Sequence, residues 1–181
     1  MRPLTVDLFV SLDGFASADA PAYFGYDGPE LDAWVQREIE QPQFVLMGRV
    51  TYEALAGVAS HEATPSKLTA IPKLVVSSRL AEPLAWESSS LLRGDLEPGI
   101  RALKEQPGPP IRTMGSMSLA ASLLEIGLVD RLRLMVFPLT VAGRGRERAF
   151  ATWPTVDLEL VEHVELDSRL VLLEYRPRRN L

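Results

Sequence analysis

The chain has 181 residues, of which 46% are hydrophobic and 24% charged, and it carries a formal charge of −5. A chain of this length buries roughly 70% of its unfolded surface around one core, so we expect a single domain over residues 1–181. The absence of cysteine excludes disulfides, thiolate metal sites and thiol catalysis, and the acidic net charge argues against nucleic acid as a partner. No apolar stretch approaches the roughly 20 residues that span a bilayer, so we expect a soluble cytoplasmic protein.

Short apolar runs alternate with segments of helical period, the pattern of strands buried beneath helices in a mostly parallel sheet. The predicted strands, in chain order, are residues 4–10, 43–47, 72–77, 111–114 and 131–137. The predicted helices between them are residues 29–40, 49–57, 96–105 and 116–126. Residues 156–165 and 169–176 lack helical spacing and predict a C-terminal antiparallel hairpin. The sequence therefore predicts an α/β fold with a mixed, mostly parallel sheet.

The first candidate site lies where the second predicted strand meets Gly48 and a helix begins at once. Free backbone N–H groups at that helix start, the hydroxyl of Thr51 and the guanidinium of Arg49 are suited to bind a phosphate. A glycine turn with a capping threonine and a solvated arginine accounts for the same residues equally well.

The second candidate site is the end of the third predicted strand, where Ser77, Ser78 and Arg79 follow a buried run. Two hydroxyls and a guanidinium are suited to the ribose 2′-phosphate that distinguishes NADP from NAD. Serines at such a position are also common loop caps.

The third candidate site follows the fourth predicted strand at Gly115, Ser116 and Met117. Glycine lets the backbone approach a pyrophosphate, and the helix N-terminus that follows would face that group. An ordinary helix cap is the alternative. Because no complete G-x-G-x-x-G occurs in the chain, the standard dinucleotide fingerprint is absent and a different dinucleotide-binding fold is required.

These three strand ends, together with the S-L-D-G-F segment at residues 11–15, resemble the dihydrofolate-reductase-like superfamily. The resemblance is closest to the branch that includes the reductase domain of bacterial riboflavin biosynthesis and its stand-alone relatives. The M-G-R-V-T-Y-E run at residues 47–53 looks like the family's M-G-R-x-T-Y/W-E element. The L-V-D-R-L run at residues 128–132, followed by Pro138, Gly143, Gly145 and Phe150, resembles its L-V-D-x-L strand and P-x-x-x-x-G-x-G loop.

The resemblance implies a three-layer αβα fold, a homodimer and an NADPH-dependent reductase of a small pteridine or pyrimidine-like heterocycle. It places Arg49, Thr51, Ser77, Ser78 and Arg79 around the 2′-phosphate of the cofactor. It places Gly48, Gly115, Ser116 and Met117 against the pyrophosphate. A module that kept this fold and binds a nucleotide without catalysis is the alternative function.

The resemblance also implies catalytic and substrate-binding residues near the first strand and first helix. Asp13 is a candidate catalytic carboxylate, and Gly14 and Phe15 are candidate substrate contacts in the loop beside the nicotinamide, although a plain turn explains Asp13 and Gly14 as well. Folate-reducing members carry a carboxylate three residues before a tryptophan. Here Trp34, a further candidate substrate contact, has Leu31 at that place, so the neighbouring Asp32 is the second candidate catalytic residue, or else a first-turn residue favoured by the helix dipole.

Two further sets of residues bear on ligands. Arg144, Arg146 and Arg148 would suit a substrate with a ribose phosphate, although a solvated arginine-rich loop explains them too. His61 and His163 are far apart in sequence and have no companion at metal-ligand spacing. We therefore predict no metal site.

Overall fold

The computed structural model describes residues 1–20, 22–59 and 67–178. Its ten strands are β1 (Leu4–Ser11), β2 (Phe15–Ala18), β3 (Phe44–Gly48), β4 (Lys73–Val76), β5 (Ser89–Leu92), β6 (Ile111–Thr113), β7 (Arg131–Phe137), β8 (Gly145–Arg148), β9 (Asp157–Leu166) and β10 (Leu170–Arg178). Its five α-helices are α1 (Pro29–Glu40), α2 (Arg49–Ala59), α3 (Lys67–Ala70), α4 (Leu96–Glu105) and α5 (Met117–Glu125).

Eight strands form one sheet in the order β5-β4-β3-β6-β1-β7-β10-β9. From β5 to β7 neighbouring strands run parallel, whereas β10 runs antiparallel to both β7 and β9. The predicted mixed sheet with a C-terminal antiparallel hairpin is therefore confirmed. The connection from β1 to β3 runs toward one edge of the sheet, and the connection from β6 to β7 runs toward the other. A topological switch point therefore lies between β1 and β6, and open α/β sheets bind their ligands at such points.

Backbone pairing between β1 and β6 is short. Their register covers only Leu4 with Ile111 and Thr5 with Arg112. Two residues further on, the N–H of Asp7 donates a hydrogen bond to the side-chain oxygen of Thr113 at 3.1 Å. The two strands therefore part toward their carboxyl ends, while β1 stays paired with β7 as far as Ser11.

One face of the sheet is covered by α4 and α5. Side chains alternate along β1, and its even-numbered residues 4–10 are all buried in the cluster on this face. Ile100 of α4 and Leu123 of α5 contribute to the same cluster and are fully buried. Truncating such a residue to alanine costs about 2–5 kcal/mol.

The opposite face is covered by α1 and α2. Leu31 and Trp34 of α1 pack with Phe137 and its neighbours on β7 and β10. Tyr52 of α2 packs with Met47 of β3 in a further cluster. Helices on both faces make three layers, as the resemblance implied.

Some elements were not predicted. The strand β5 contains two serines and two leucines, too little apolar pattern to mark a strand, and pairs with β4 at the edge. The strands β2 and β8 form a separate two-stranded antiparallel sheet with register shifts. Their sequences lack regular alternation, which is why both segments were interpreted as loops.

No helix within the described residues is long and apolar enough to cross a membrane. In the same part of the chain, no group of three or more His, Cys, Asp or Glu side chains is arranged to hold a metal ion. His163 is exposed on β9, and His61 lies outside the described residues.

Candidate active site

The ends of β3, β4 and β6 bring the three candidate phosphate-binding segments to one edge of the sheet. Parallel pairing aligns Gly48 with Val76 and Leu46 with Thr113. Gly48, Ser77 and Gly115 therefore lie at or just beyond the carboxyl ends of adjacent strands.

The first and third segments form a single junction. The side-chain oxygen of Ser116 accepts a hydrogen bond from the N–H of Gly48 at 2.8 Å and lies 2.8 Å from the hydroxyl oxygen of Thr51. A Cβ on Gly48 would come within 2.9 Å of the Ser116 hydroxyl, and one on Gly115 within 3.3 Å of the Thr51 hydroxyl. The space at this junction thus favours glycine at both Gly48 and Gly115, since a Cβ at either position would press on a side chain of the junction.

The turn before α5 has an unusual backbone. Gly115 has a φ of 57° and Ser116 a φ of 69°, and the left-handed region disfavours any side chain. Ser116 keeps this conformation while its hydroxyl bridges Gly48 and Thr51. The N-terminus of α5 follows at Met117, whose side chain is largely buried. First-turn N–H groups lack partners within the helix and are suited to bind an anion.

Thr51 joins the first and third candidate segments. Its hydroxyl oxygen contacts that of Ser116 beside the turn at Gly115, next to the residues that the resemblance places at the pyrophosphate. Thr51 is on the first turn of α2, and the Ser116 hydroxyl ties the start of that helix to the end of β6.

Two of the residues expected at the 2′-phosphate, Arg49 and Ser77, already contact other groups of the protein. Arg49 pairs with Glu53 at 2.6 Å, one helical turn away, so a phosphate would compete with that carboxylate. The Ser77 side-chain oxygen accepts hydrogen bonds from the N–H groups of Arg79 and Leu80 at 3.0 and 3.1 Å, as a loop cap does. The side chains of Ser78 and Arg79 are exposed.

A cavity of about 410 Å³ opens beside this junction. Gly115 and Met117 line it next to the junction. Residues of β1, β2, β6, α1, α2 and α3 and of the segment before α1 line most of the rest. Its apolar and aromatic lining consists mainly of Leu8, Phe9, Tyr23, Trp34, Val35, Ile39, Leu55, Leu68 and Met114. Of the residues predicted for catalysis or substrate binding, Trp34 lines the cavity, whereas Asp13, Gly14, Phe15 and Asp32 are not among the described lining residues.

Asp13 is engaged in holding two loops together. Its carboxylate accepts hydrogen bonds from the hydroxyl of Ser11 at 2.7 Å and from the N–H groups of Val141 and Ala142 at 3.1 and 2.8 Å. These bonds, that of Ser11 foremost, hold the pKa of Asp13 below its usual value. An ionised carboxylate with three donors is suited to positioning a loop and not to giving up a proton.

Gly14 and Phe15 take part in the same loop structure. Gly14 has a φ of 80°, and its carbonyl accepts a hydrogen bond from the N–H of Ala149 at 2.9 Å. The ring of Phe15 is buried, with the guanidinium of Arg148 4.9 Å from its centre.

The first helix has no carboxylate facing the cavity at the position expected for folate reduction. Leu31 occupies that position and is 1% exposed in the cluster beneath α1. Asp32 is exposed. Burial, together with the charge of Asp32, raises the pKa of Tyr23, so that this cavity-lining phenol stays protonated near neutral pH.

The arginine-rich segment lies away from the cavity. Arg146 pairs with Asp19 and Arg148 covers Phe15, and Arg144 is exposed. None of the three is among the described lining residues. The segment therefore holds β2 against β8 and does not supply basic groups to the cavity.

A charged network at the cavity wall was missed by the sequence analysis. Asp7 of β1 and Glu38 of α1 pair with Arg112 of β6 and Arg133 of β7 over distances of 2.5–2.8 Å. The two carboxylates raise the pKa of Arg133 despite its burial. Asp7 interrupting the apolar run of a central strand was the available signal, because a charge there requires partners.

The family model described as the RibD C-terminal domain matches residues 2–172. Over 187 aligned residues the chain is 26% identical to the uncharacterized protein YyaP of Bacillus subtilis (strain 168), covering 96% of this chain and 94% of that protein.

Two solved structures share the fold. A putative riboflavin biosynthesis protein from Shewanella sp. PV-4 is 19% identical, with a TM-score of 0.74 over 98% of this chain and 100% of that one. Dihydrofolate reductase from Enterococcus faecalis, complexed with NADP(H), is 14% identical, with a TM-score of 0.66 over 98% of this chain and 97% of that one. The resemblance and fold inferred from the strand-end motifs are confirmed, and the chain belongs to the RibD C-terminal domain family.

Proposed function

We propose that this protein is an NADPH-dependent reductase of a pteridine or pyrimidine-like heterocycle. The observation that carries the proposal is the junction of Gly48, Thr51, Gly115 and Ser116, which lies directly beside a largely apolar cavity. A nucleotide bound at the junction would present its reactive ring to whatever occupies the cavity.

The junction fits a dinucleotide in its backbone geometry. Gly115 leaves the β6 end free of a side chain where a Cβ would press on Thr51, and the N-terminus of α5 follows. We assign the pyrophosphate to this turn, and the 2′-phosphate to Arg49 with Ser77, Ser78 and Arg79. When bound, the cofactor supplies the hydride.

The chain's own residues would orient the substrate and exclude water. Trp34 and Phe9 offer aromatic surfaces to a flat ring, and the protonated phenol of Tyr23 can donate a hydrogen bond. Asp13 positions the loop after β1 by anchoring it to Val141 and Ala142. Holding the two reactants in a fixed geometry can lower the barrier to hydride transfer by several kcal/mol (roughly 7–11 kcal/mol in the best-oriented cases).

The cofactor assignment is tested by titrating the protein with NADPH and with NADH while tryptophan fluorescence is recorded. We expect saturable binding of NADPH and weaker binding of NADH. Arg49→Ala should cost about 2 kcal/mol in NADPH affinity and much less for NADH, because a charge-assisted hydrogen bond to the 2′-phosphate is lost. No saturable NADPH binding would reject the proposal, and equal losses for both nucleotides would reject the role of Arg49.

A nucleotide-binding module without catalysis is the second candidate function. Two observations favour it: Leu31 occupies the place of the folate carboxylate, and Asp13 is held ionised by three donors. The test is NADPH oxidation, followed by absorbance, with a panel of pterins, deazaflavins and aminopyrimidines. Robust turnover of any of them excludes the module.

We also propose that residues 1–181 act as one cytoplasmic domain that forms a homodimer. The family resemblance supports this, and Leu160 and Val161 are exposed on the outer strand β9, where a second copy can pack. Light scattering after size exclusion should give twice the 20.0 kDa chain mass. A monomer at micromolar concentration would reject the dimer.

A further inference from the structure

The charged side chains at the cavity wall neutralise one another. Arg112 directs Nε and Nη2 to Oδ2 of Asp7, at 2.7 and 2.6 Å, and Nη1 to Oε2 of Glu38 at 2.7 Å. Arg133 directs Nε to Oδ1 of Asp7 at 2.5 Å, and Nη2 to Oδ2 of Asp7 and Oε2 of Glu38 at 2.9 and 2.8 Å. Two positive and two negative charges thus form a closed group.

These groups are held tightly and have little contact with water. The four side chains are between 11% and 22% exposed. The guanidinium of Arg133 also lies 5.5 Å from the centre of the Trp34 ring, a contact that further restricts its position. A ligand that drew one side chain out of this group would leave the opposite charge without a partner and poorly solvated, which costs free energy.

A charged ligand would therefore find no free partner in the described part of the wall. The free N–H groups at the start of α5 are those assigned above to the cofactor pyrophosphate, and the only cation lining the cavity among the described residues is Arg112, whose Nε and both terminal nitrogens already contact carboxylates. A cationic ring would need an anion, and both lining carboxylates are paired with arginines. The remaining lining is mainly apolar and aromatic.

We propose that the cavity takes an uncharged, flat ring system that carries no phosphate group. The inference rests on the proposed reductase function for the role of this ligand as substrate, and it narrows the substrate class. A ribose-phosphate substituent would find no unpaired cation among the described lining residues, because Arg112 is already paired with Asp7 and Glu38.

The test uses three probes with one ring system and different charge: 2-naphthamide, 2-naphthoate and (naphthalen-2-yl)methylammonium. Equilibrium dialysis against the full chain measures the dissociation constant of each at neutral pH. We expect the amide to bind about tenfold or more tightly than either ion, since each ion must be buried without a partner. An ion that binds as tightly as the amide overturns the proposal, and so does the absence of amide binding.

A charge change in the wall gives a second, independent readout. Glu38→Gln removes one negative charge from the group and leaves a net positive wall. We expect the affinity of 2-naphthoate relative to 2-naphthamide to increase about tenfold. Glu97→Gln is the matched control, because Glu97 pairs with Arg101 on α4 and does not line the cavity. An unchanged ratio in Glu38→Gln overturns the proposal.

The two proposals fail separately. Dialysis of the naphthalene probes uses no nucleotide and reports the charge preference of the cavity alone. The NADPH titration reports the junction at Gly115. If the cavity prefers the amide but the protein does not bind NADPH, the reductase is rejected and the uncharged ligand class stands. If the protein binds NADPH but an ion binds as tightly as the amide, the ligand class is rejected and the reductase stands.

Discussion

Replacing Ser116 with alanine should loosen the junction that joins the ends of β3 and β6. The variant loses the acceptor for the Gly48 N–H and the partner of the Thr51 hydroxyl, both at 2.8 Å. Each hydrogen bond contributes about 0.5–1.5 kcal/mol net, so the loss is about 2 kcal/mol of unfolding free energy. Urea denaturation at neutral pH measures it.

The same variant should bind NADPH about tenfold more weakly. Without the bridging hydroxyl, the turn at Gly115 is in the binding conformation for a smaller fraction of the time, and the apparent dissociation constant rises by the inverse of that fraction. Thr51→Val removes only one of the two contacts and should cost about 1 kcal/mol of stability. Combined with Ser116→Ala it should add almost nothing, because the shared contact is already lost.

The control for these variants is Ser118→Ala, two residues further along the chain. Ser118 is exposed on the first turn of α5, so its loss should change neither stability nor NADPH affinity by much. If Ser116→Ala behaves like Ser118→Ala in both measurements, the bridging hydroxyl does not organise the strand ends, and the assignment of the pyrophosphate to this turn loses its main support.

Three further predictions concern the charged groups. Asp13→Asn should lower the melting temperature at neutral pH, and its difference from wild type should shrink as pH falls below about 4, because the lowered pKa of Asp13 makes its stabilisation vanish on protonation; a constant difference would contradict this. Burial lowers the pKa of Lys73 to about 8, so between about pH 8 and 10 the unfolded chain binds more protons than the folded one. As pH rises through this range, the free energy of unfolding of the wild type, measured with urea, should therefore increase relative to that of Lys73→Met. Parallel pH profiles of the two proteins would contradict this. Asp7→Ala leaves Arg133 underpaired and should cost about 3 kcal/mol by urea denaturation, whereas Glu97→Ala, at an exposed pair, should cost about 0.5 kcal/mol; similar losses would contradict this.

The helices and central strands could be predicted because their signals are local. Helix α1 begins at Pro29, as predicted, since proline suits the first helical turn and acidic residues follow it. Parallel strands separated by helices also bring their carboxyl ends together, which is why the convergence of Gly48, Ser77 and Gly115 followed from the sequence. By contrast, β5 has too little apolar pattern to mark a strand, and the β2–β8 pair joins segments that are far apart in the chain and have no pattern of their own.

The charged network at the cavity wall could not be predicted from the spacing of its residues in the sequence. Asp7, Glu38, Arg112 and Arg133 lie on four separate elements, and only the sheet order shows that β6 and β7 flank β1. Similarly, the contact between Thr51 and Ser116 spans 65 residues, so no local pattern could indicate it. What the sequence alone misses in this site is the pairing of side chains across the sheet.

The parting of β1 from β6 bears on how this fold can be adapted. Beyond Thr5 no backbone ladder joins the two strands, and the hydroxyl of Thr113 alone meets the Asp7 N–H. The side chains that bound the gap carry the connection instead, since Asp7 pairs with Arg112 and Thr113 accepts from the Asp7 N–H. A mutant library should therefore keep these three residues and vary the apolar lining beside the gap, such as Phe9 and Met114, which makes that lining the natural starting point for directed evolution of ligand preference.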